Sequence, residues 1–162
     1  TSRTNNSLTS FVLRTRLFRT SSSLRKTPTM STNSNYVVEV EKYAERHFIS
    51  SFKKKYKGAW DVTWKAIEEE LKRIETLIGV NNYVETIKSE RDLLICKTEF
   101  RVAGTQESRH GSGNRCIIAV QKEVKIVHVL LVYAKGDIKG SHETTWWQGI
   151  VKETYADYAH CF

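Results

Sequence analysis

Disulfide pairs, metal-ligand spacings, long apolar runs and, over one stretch, acidic charge are all missing from this 162-residue sequence. There are three cysteines, Cys96, Cys116 and Cys161, an odd number with no C-x-x-C among them. That argues against a disulfide framework and for a reducing, cytoplasmic setting. None of the five histidines stands at metal-ligand spacing from another, so no metal site is expected. No apolar run approaches the roughly 20 residues a membrane span needs. The longest candidate, 126–133, is interrupted by His128. No membrane association is expected.

Residues 1–35 hold no acid at all, but carry Arg3, Arg14, Arg16, Arg19, Arg25 and Lys26. The formal charge of +8 therefore sits mostly there, and the remainder has 20 bases against 18 acids. A nearly balanced domain gives no general argument for a polyanion partner, so any such argument must rest on local clustering. The first 35 residues are rich in Ser and Thr, too poor in apolar surface to fold alone, and expected to be disordered. They read either as sequence upstream of a start at Met30, the preferred reading, or as a transit peptide that would place the protein in an organelle.

Proline is equally scarce: Pro28 is the only one, so glycine punctuates residues 36–162. A first strand is expected at 36–40. Residues 42–57 read as a helix with Ala44, Phe48, Ile49, Phe52 and Tyr56 on one side. A second helix is expected over 60–78, where Trp60, Trp64, Ile67, Leu71, Ile74 and Ile78 recur at steps of four and three. Lys57-Gly58 joins the two as a helical hairpin. Strands follow at 93–102, 115–122 and 125–134, then a helix at 142–158 capped by Ser141. The order β-α-α-β-β-β-α predicts an α+β domain, a helical hairpin on a small, mostly antiparallel sheet. Trp60 and Trp64, and one of Trp146 and Trp147, are expected in the core.

Strand alternation places Lys97, Glu99 and Arg101 on one face and Cys96, Thr98, Phe100 and Val102 on the other. The ionic face reads most simply as a solvated outer face of a half-buried sheet. Arg115 does not fit that reading, because it opens the apolar run Cys116-Ile117-Ile118-Ala119-Val120. An arginine there needs an acid or a bound anion, and Glu99 is the structural candidate. Lys135 stands just past another apolar run. If the three strands are adjacent, Arg101, Arg115 and Lys135 converge near one sheet end, where fixed positive charge could stabilise charge developing at phosphorus. The intervening loop carries Arg109 and His110, and no Gly-Lys-Ser/Thr closes it as in a P-loop.

The stretch FRVAGTQESRHGSGNRCIIAV followed by VHVLLVYAKGDI resembles the RelE/HigB family of type II toxins. The shared pattern is basic-x-Arg at a strand end, a Gly/Ser/basic loop, Gly-x-Arg opening the next strand and Val-Tyr-x-Lys closing the third. The resemblance implies a RelE-like domain over 36–162 and a toxin that cuts messenger RNA on the ribosome, with no metal or other cofactor. It implies Arg101, Arg115 and Lys135 as phosphate-binding and transition-state cations. Lys97 or Glu99 would assist deprotonation, and Arg109, His110 and Tyr133 would contact RNA. Tyr133, Tyr155 and His142 remain alternatives for the family's C-terminal Tyr or His. The expected partners are mRNA on the ribosome and a cognate antitoxin. The rival readings are a ParE-like inhibitor of DNA gyrase and a non-catalytic RNA-binding or adaptor domain. From composition alone, a chain beginning at Met30 is expected to melt at the same temperature as the full chain. Calorimetry on both checks this, and a loss of several degrees would show that the preceding segment packs on the domain.

Overall fold

A computed structural model describes residues 35–80 and 82–162. The disorder expected for residues 1–35 falls outside these described residues, apart from Asn35. β1 is Val37–Val40, followed by α1 (Lys42–Ala44), a π-helical turn (Glu45–Ile49) and α2 (Ser50–Tyr56). Next come α3 (Gly58–Lys72) and a single turn, α4 (Ile74–Leu77). Then four strands run in succession: β2 (Val84–Glu90), β3 (Leu93–Phe100), β4 (Asn114–Gln121) and β5 (Ile126–Ala134). A 3-10 turn (Lys135–Asp137), α5 (Glu143–Thr154) and a second 3-10 turn (Ala156–Cys161) complete the described chain. The sheet order is β1-β5-β4-β3-β2, with β1 parallel to β5 and the other three pairs antiparallel.

Two cores sandwich this sheet. Trp60, Ile67, Leu71 and Ile74 pack on one face against Cys96, Phe100, Cys116, Ile118, Val127 and Val129. On the other face Ile95, Ile117, Ala119, Leu131 and Tyr133 lie beneath Trp147, Val151, Tyr158 and Cys161. The second face is thus covered by α5 and the final 3-10 turn over much of its area, which corrects the expectation of a solvated outer face. The cause is visible in β4 and β5: their near-continuous apolar runs are what a strand buried on both sides requires. Trp60 and Trp147 are fully buried, Trp64 and Trp146 only partly. Burial pushes the Cys96 thiol up to about 11 and the Cys116 thiol up to about 12, which leaves neither as a nucleophile at neutral pH.

Three other expectations are corrected. The sheet has a fifth strand, β2, that the periodicity did not announce. Only Val84 of β2 is buried, and the strand forms a charged sheet edge. Its connection to β3, Arg91-Asp92, holds Arg91 at φ 39 without the Asn or Gly that usually marks such a turn. The helix expected over 60–78 breaks at Arg73: the Lys72 carbonyl accepts the Tyr36 amide at 2.8 Å, and the Thr76 amide turns to the Arg73 carbonyl instead. The last helix ends at Thr154, and its N-cap is His142 rather than Ser141, with no side-chain capping bond.

β5 carries a bulge. Ile117 pairs with Leu131 and Ile118 with Val129, so Leu130 has no partner and joins Leu131 in the second core. The Tyr155 hydroxyl donates to the Leu130 carbonyl at 2.8 Å, satisfying a group at this irregularity. Tyr155→Phe is therefore expected to cost about 1–3 kcal/mol, the range for a deprived buried acceptor. Urea unfolding checks this, and a change within ±0.5 kcal/mol would mean that water replaces the hydroxyl.

Candidate functional site

Where β3 and β5 end and β4 begins, beside the start of α5, an open cleft of about 830 Å³ forms. Tyr83 and Glu85 line it from the sheet edge, Lys97 and Glu99 from β3, His110 from the loop, Arg115 from β4, Lys135 from the turn after β5 and Glu143 from α5. The register brings the central pair together, since Glu99 lies opposite Arg115 across the β3–β4 ladder.

Arg115 is 4 % exposed. Its guanidinium lies 3.2 Å from Glu99 Oε1 and 3.8 Å from Glu143 Oε1, and it donates to the Asn114 carbonyl at 3.1 Å. Glu99 also meets His110 Nδ1 at 3.0 Å. Glu143 accepts the Tyr133 hydroxyl at 2.9 Å, and its second oxygen lies 3.2 Å from Lys135 Nζ. Lys97 pairs with Glu85 at 2.8 Å. One chain of contacts thus runs from His110 through Glu99, Arg115 and Glu143 to Lys135. Burial pushes the Glu143 carboxyl up, but the bonds from Tyr133 and Lys135 and the charges of Lys135 and Lys97 outweigh it and hold the group below its ordinary value. Burial, then the bond to Glu143, raises the Tyr133 phenol.

Of the residues singled out in the sequence, the cleft brings together Lys97, Glu99, His110, Arg115 and Lys135. Arg101 is not among them. β3 ends at Phe100, strand alternation stops there, and Arg101 lines a separate hollow with Val62, Ala66 and Phe100. Tyr133 is 3 % exposed beneath α5, with Trp146 edge-on at 5.1 Å, so it cannot stack on a base. Arg109 points into the protein: it grips both Glu70 oxygens at 2.8 and 2.7 Å, donates to the Glu99 carbonyl and lies over the Tyr83 ring. This clamp, with the Ser112 hydroxyl 2.6 Å from the Phe100 carbonyl, fixes the 101–113 loop against the helices and β3. Gly113, at φ 71, lets the loop end approach Lys135, whose amide donates to the Gly113 carbonyl at 2.8 Å. Of the alternatives for a C-terminal acid, Tyr155 is bonded beneath the sheet to Leu130 and His142 is exposed at the start of α5.

Glu143 and Tyr83 escaped the sequence reading. An acid in the first turn of a helix is routine dipole compensation and attracts no notice. Tyr83 carried a weak signal, as an aromatic within the polar stretch Asn81-Asn82-Tyr83; it is 43 % exposed at the cleft edge.

No protein-family model matches the chain, and no curated protein matches it. Among solved structures, the chain is similar to the archaeal RelE-RelB complex from Pyrococcus horikoshii OT3. The TM-score is 0.44 and the identity 13%, and the match covers 64% of this chain and 99% of that one.

The Glu143 carboxyl is lowered relative to its ordinary 4.5, so its stabilising contribution is full above that value and lost as pH falls through the lower, folded one. Glu143→Gln should melt below the wild type at neutral pH, and the gap should close in acid. Thermal melts across that range check it; a constant gap would assign the effect to packing.

Proposed function

We propose that this chain is an endoribonuclease of the toxin type, acting on mRNA in the ribosome and restrained by a cognate antitoxin. The observation that carries this reading is the convergence of Lys97, Glu99, His110, Arg115 and Lys135 on one cleft. It supplies a carboxylate and an imidazole 3.0 Å apart, with three cations around them. In the proposed reaction the RNA 2′-hydroxyl attacks the adjacent phosphorus and the 5′-oxygen leaves. Glu99 takes the hydroxyl proton, and His110 in its protonated form returns one to the leaving oxygen. Arg115, Lys97 and Lys135 stabilise the charge that builds on the phosphoryl oxygens. Tyr83, 43 % exposed at the cleft edge with the Arg109 guanidinium against its ring, is the aromatic nearest to hand for contact with a base. The ribosome supplies much of the substrate positioning.

One observation favours a second reading, a non-catalytic RNA-binding or adaptor domain. Each of the three cations rests against a carboxylate: Lys97 on Glu85, Arg115 on Glu99 and Glu143, and Lys135 on Glu143. An entering phosphate must compete with these acids.

Induction in translating bacteria, with mapping of transcript 5′ ends, separates the two. New ends in translated mRNA are expected, and Lys97→Ala or Lys135→Ala should reduce cleavage about 10²–10³-fold, the typical loss for one transition-state donor. Intact transcripts together with retained ribosome or RNA binding would leave only the adaptor reading. Arg115→Ala is expected to behave differently. It leaves Glu99 and Glu143 without their buried counter-charge and should destabilise the fold by about 3–5 kcal/mol. Chemical denaturation checks that, and an unchanged midpoint would show that the two acids relax into solvent.

A further inference from the structure

We propose that Glu90, His160 and Cys161 form a zinc-binding site that fastens the final 3-10 turn to the edge strand β2. One ligand atom from each residue lies within 4.8 Å of the other two. His160 Nε2 stands 3.0 Å from Glu90 Oε2 and 3.6 Å from Cys161 Sγ. Ligand atoms around a tetrahedral zinc, bound at about 2.0–2.3 Å, stand roughly 3.3–3.8 Å apart. The three groups therefore need only small adjustments to close on one ion.

The donor set selects the metal class. A carboxylate, an imidazole and a thiolate form the mixed O, N, S environment that suits a borderline-soft divalent ion and disfavours magnesium or calcium. With the thiol and the carboxyl ionised, the ligands carry two negative charges and balance the ion. A hollow of about 740 Å³, lined by His160, Glu90 and the acids Asp92, Glu123 and Asp157, adjoins the cluster and leaves room for a water as fourth ligand. The site is separate from the cleft: Glu90 ends the strand whose first residues, Val84 and Glu85, line the cleft, and a strand of that length spans about 20 Å. Cys161 and Tyr158 belong to the second core, so an ion at Cys161 would tie that core to the sheet edge.

Cobalt(II) and zinc(II) titrations of the full chain test the proposal. One cobalt per chain should bind with a near-ultraviolet sulfur-to-cobalt band and visible bands of tetrahedral strength. The sulfur band should vanish in Cys161→Ser. Zinc at about a hundred times its dissociation constant should raise Tm by roughly 5–10 °C. That rise should be absent in His160→Ala and reduced in Glu90→Gln, both substitutions of exposed side chains, and retained in His47→Ala. A wild-type spectrum without the sulfur band, or a zinc-dependent Tm rise that survives His160→Ala, would overturn the site.

Discussion

A guanidinium buried inside a β-sheet protein has to be balanced, and the balancing of Arg115 organises this molecule. Glu99 meets it because the β3–β4 register sets the two opposite one another. A slip of one residue would send Glu99 to the other face and leave the charge unpaired. Glu143 meets it because α5 begins over that end of the sheet. Register, helix placement and cleft are therefore one problem with one solution.

The bulge at Leu130 belongs to the same solution. Before it, Val127 and Val129 face the helical hairpin; after it, Leu131 and Tyr133 face α5. An unbroken alternation would have put Val129 and Tyr133 on the same face. The extra residue thus keeps the first core intact and places the Tyr133 hydroxyl under Glu143. Tyr155, which bonds the Leu130 carbonyl, secures the irregularity from the next layer.

The cleft that results is ordered by opposed charges. Glu85, Glu99 and Glu143 hold Lys97, Arg115 and Lys135 in defined positions, at the cost of occupying the directions from which an anion would be bound. Under the proposed chemistry the same acids have two tasks, positioning the cations and, in Glu99, accepting a proton. Arg109 has a supporting one: it fixes the loop that brings His110 to Glu99.

The sequence by itself determined the helical hairpin, four of the five described strands to within two residues, and the anomaly of Arg115, because apolar periodicities and a charge opening an apolar run are local signals. Glu99 was legible as its partner for the same reason, through simple alternation. β2 was not, since an edge strand buries too little to impose a pattern. Only the tertiary structure decided that Arg101 leaves the cluster, because alternation ends with the strand. The burial of Tyr133 followed from helix packing, and the inward turn of Arg109 from an acid 39 residues away in α3. Glu143, and the meeting of Glu90 with His160 across 70 residues, depend on how elements dock. No local spacing encodes those contacts, because they exist only once both faces of the sheet have been covered.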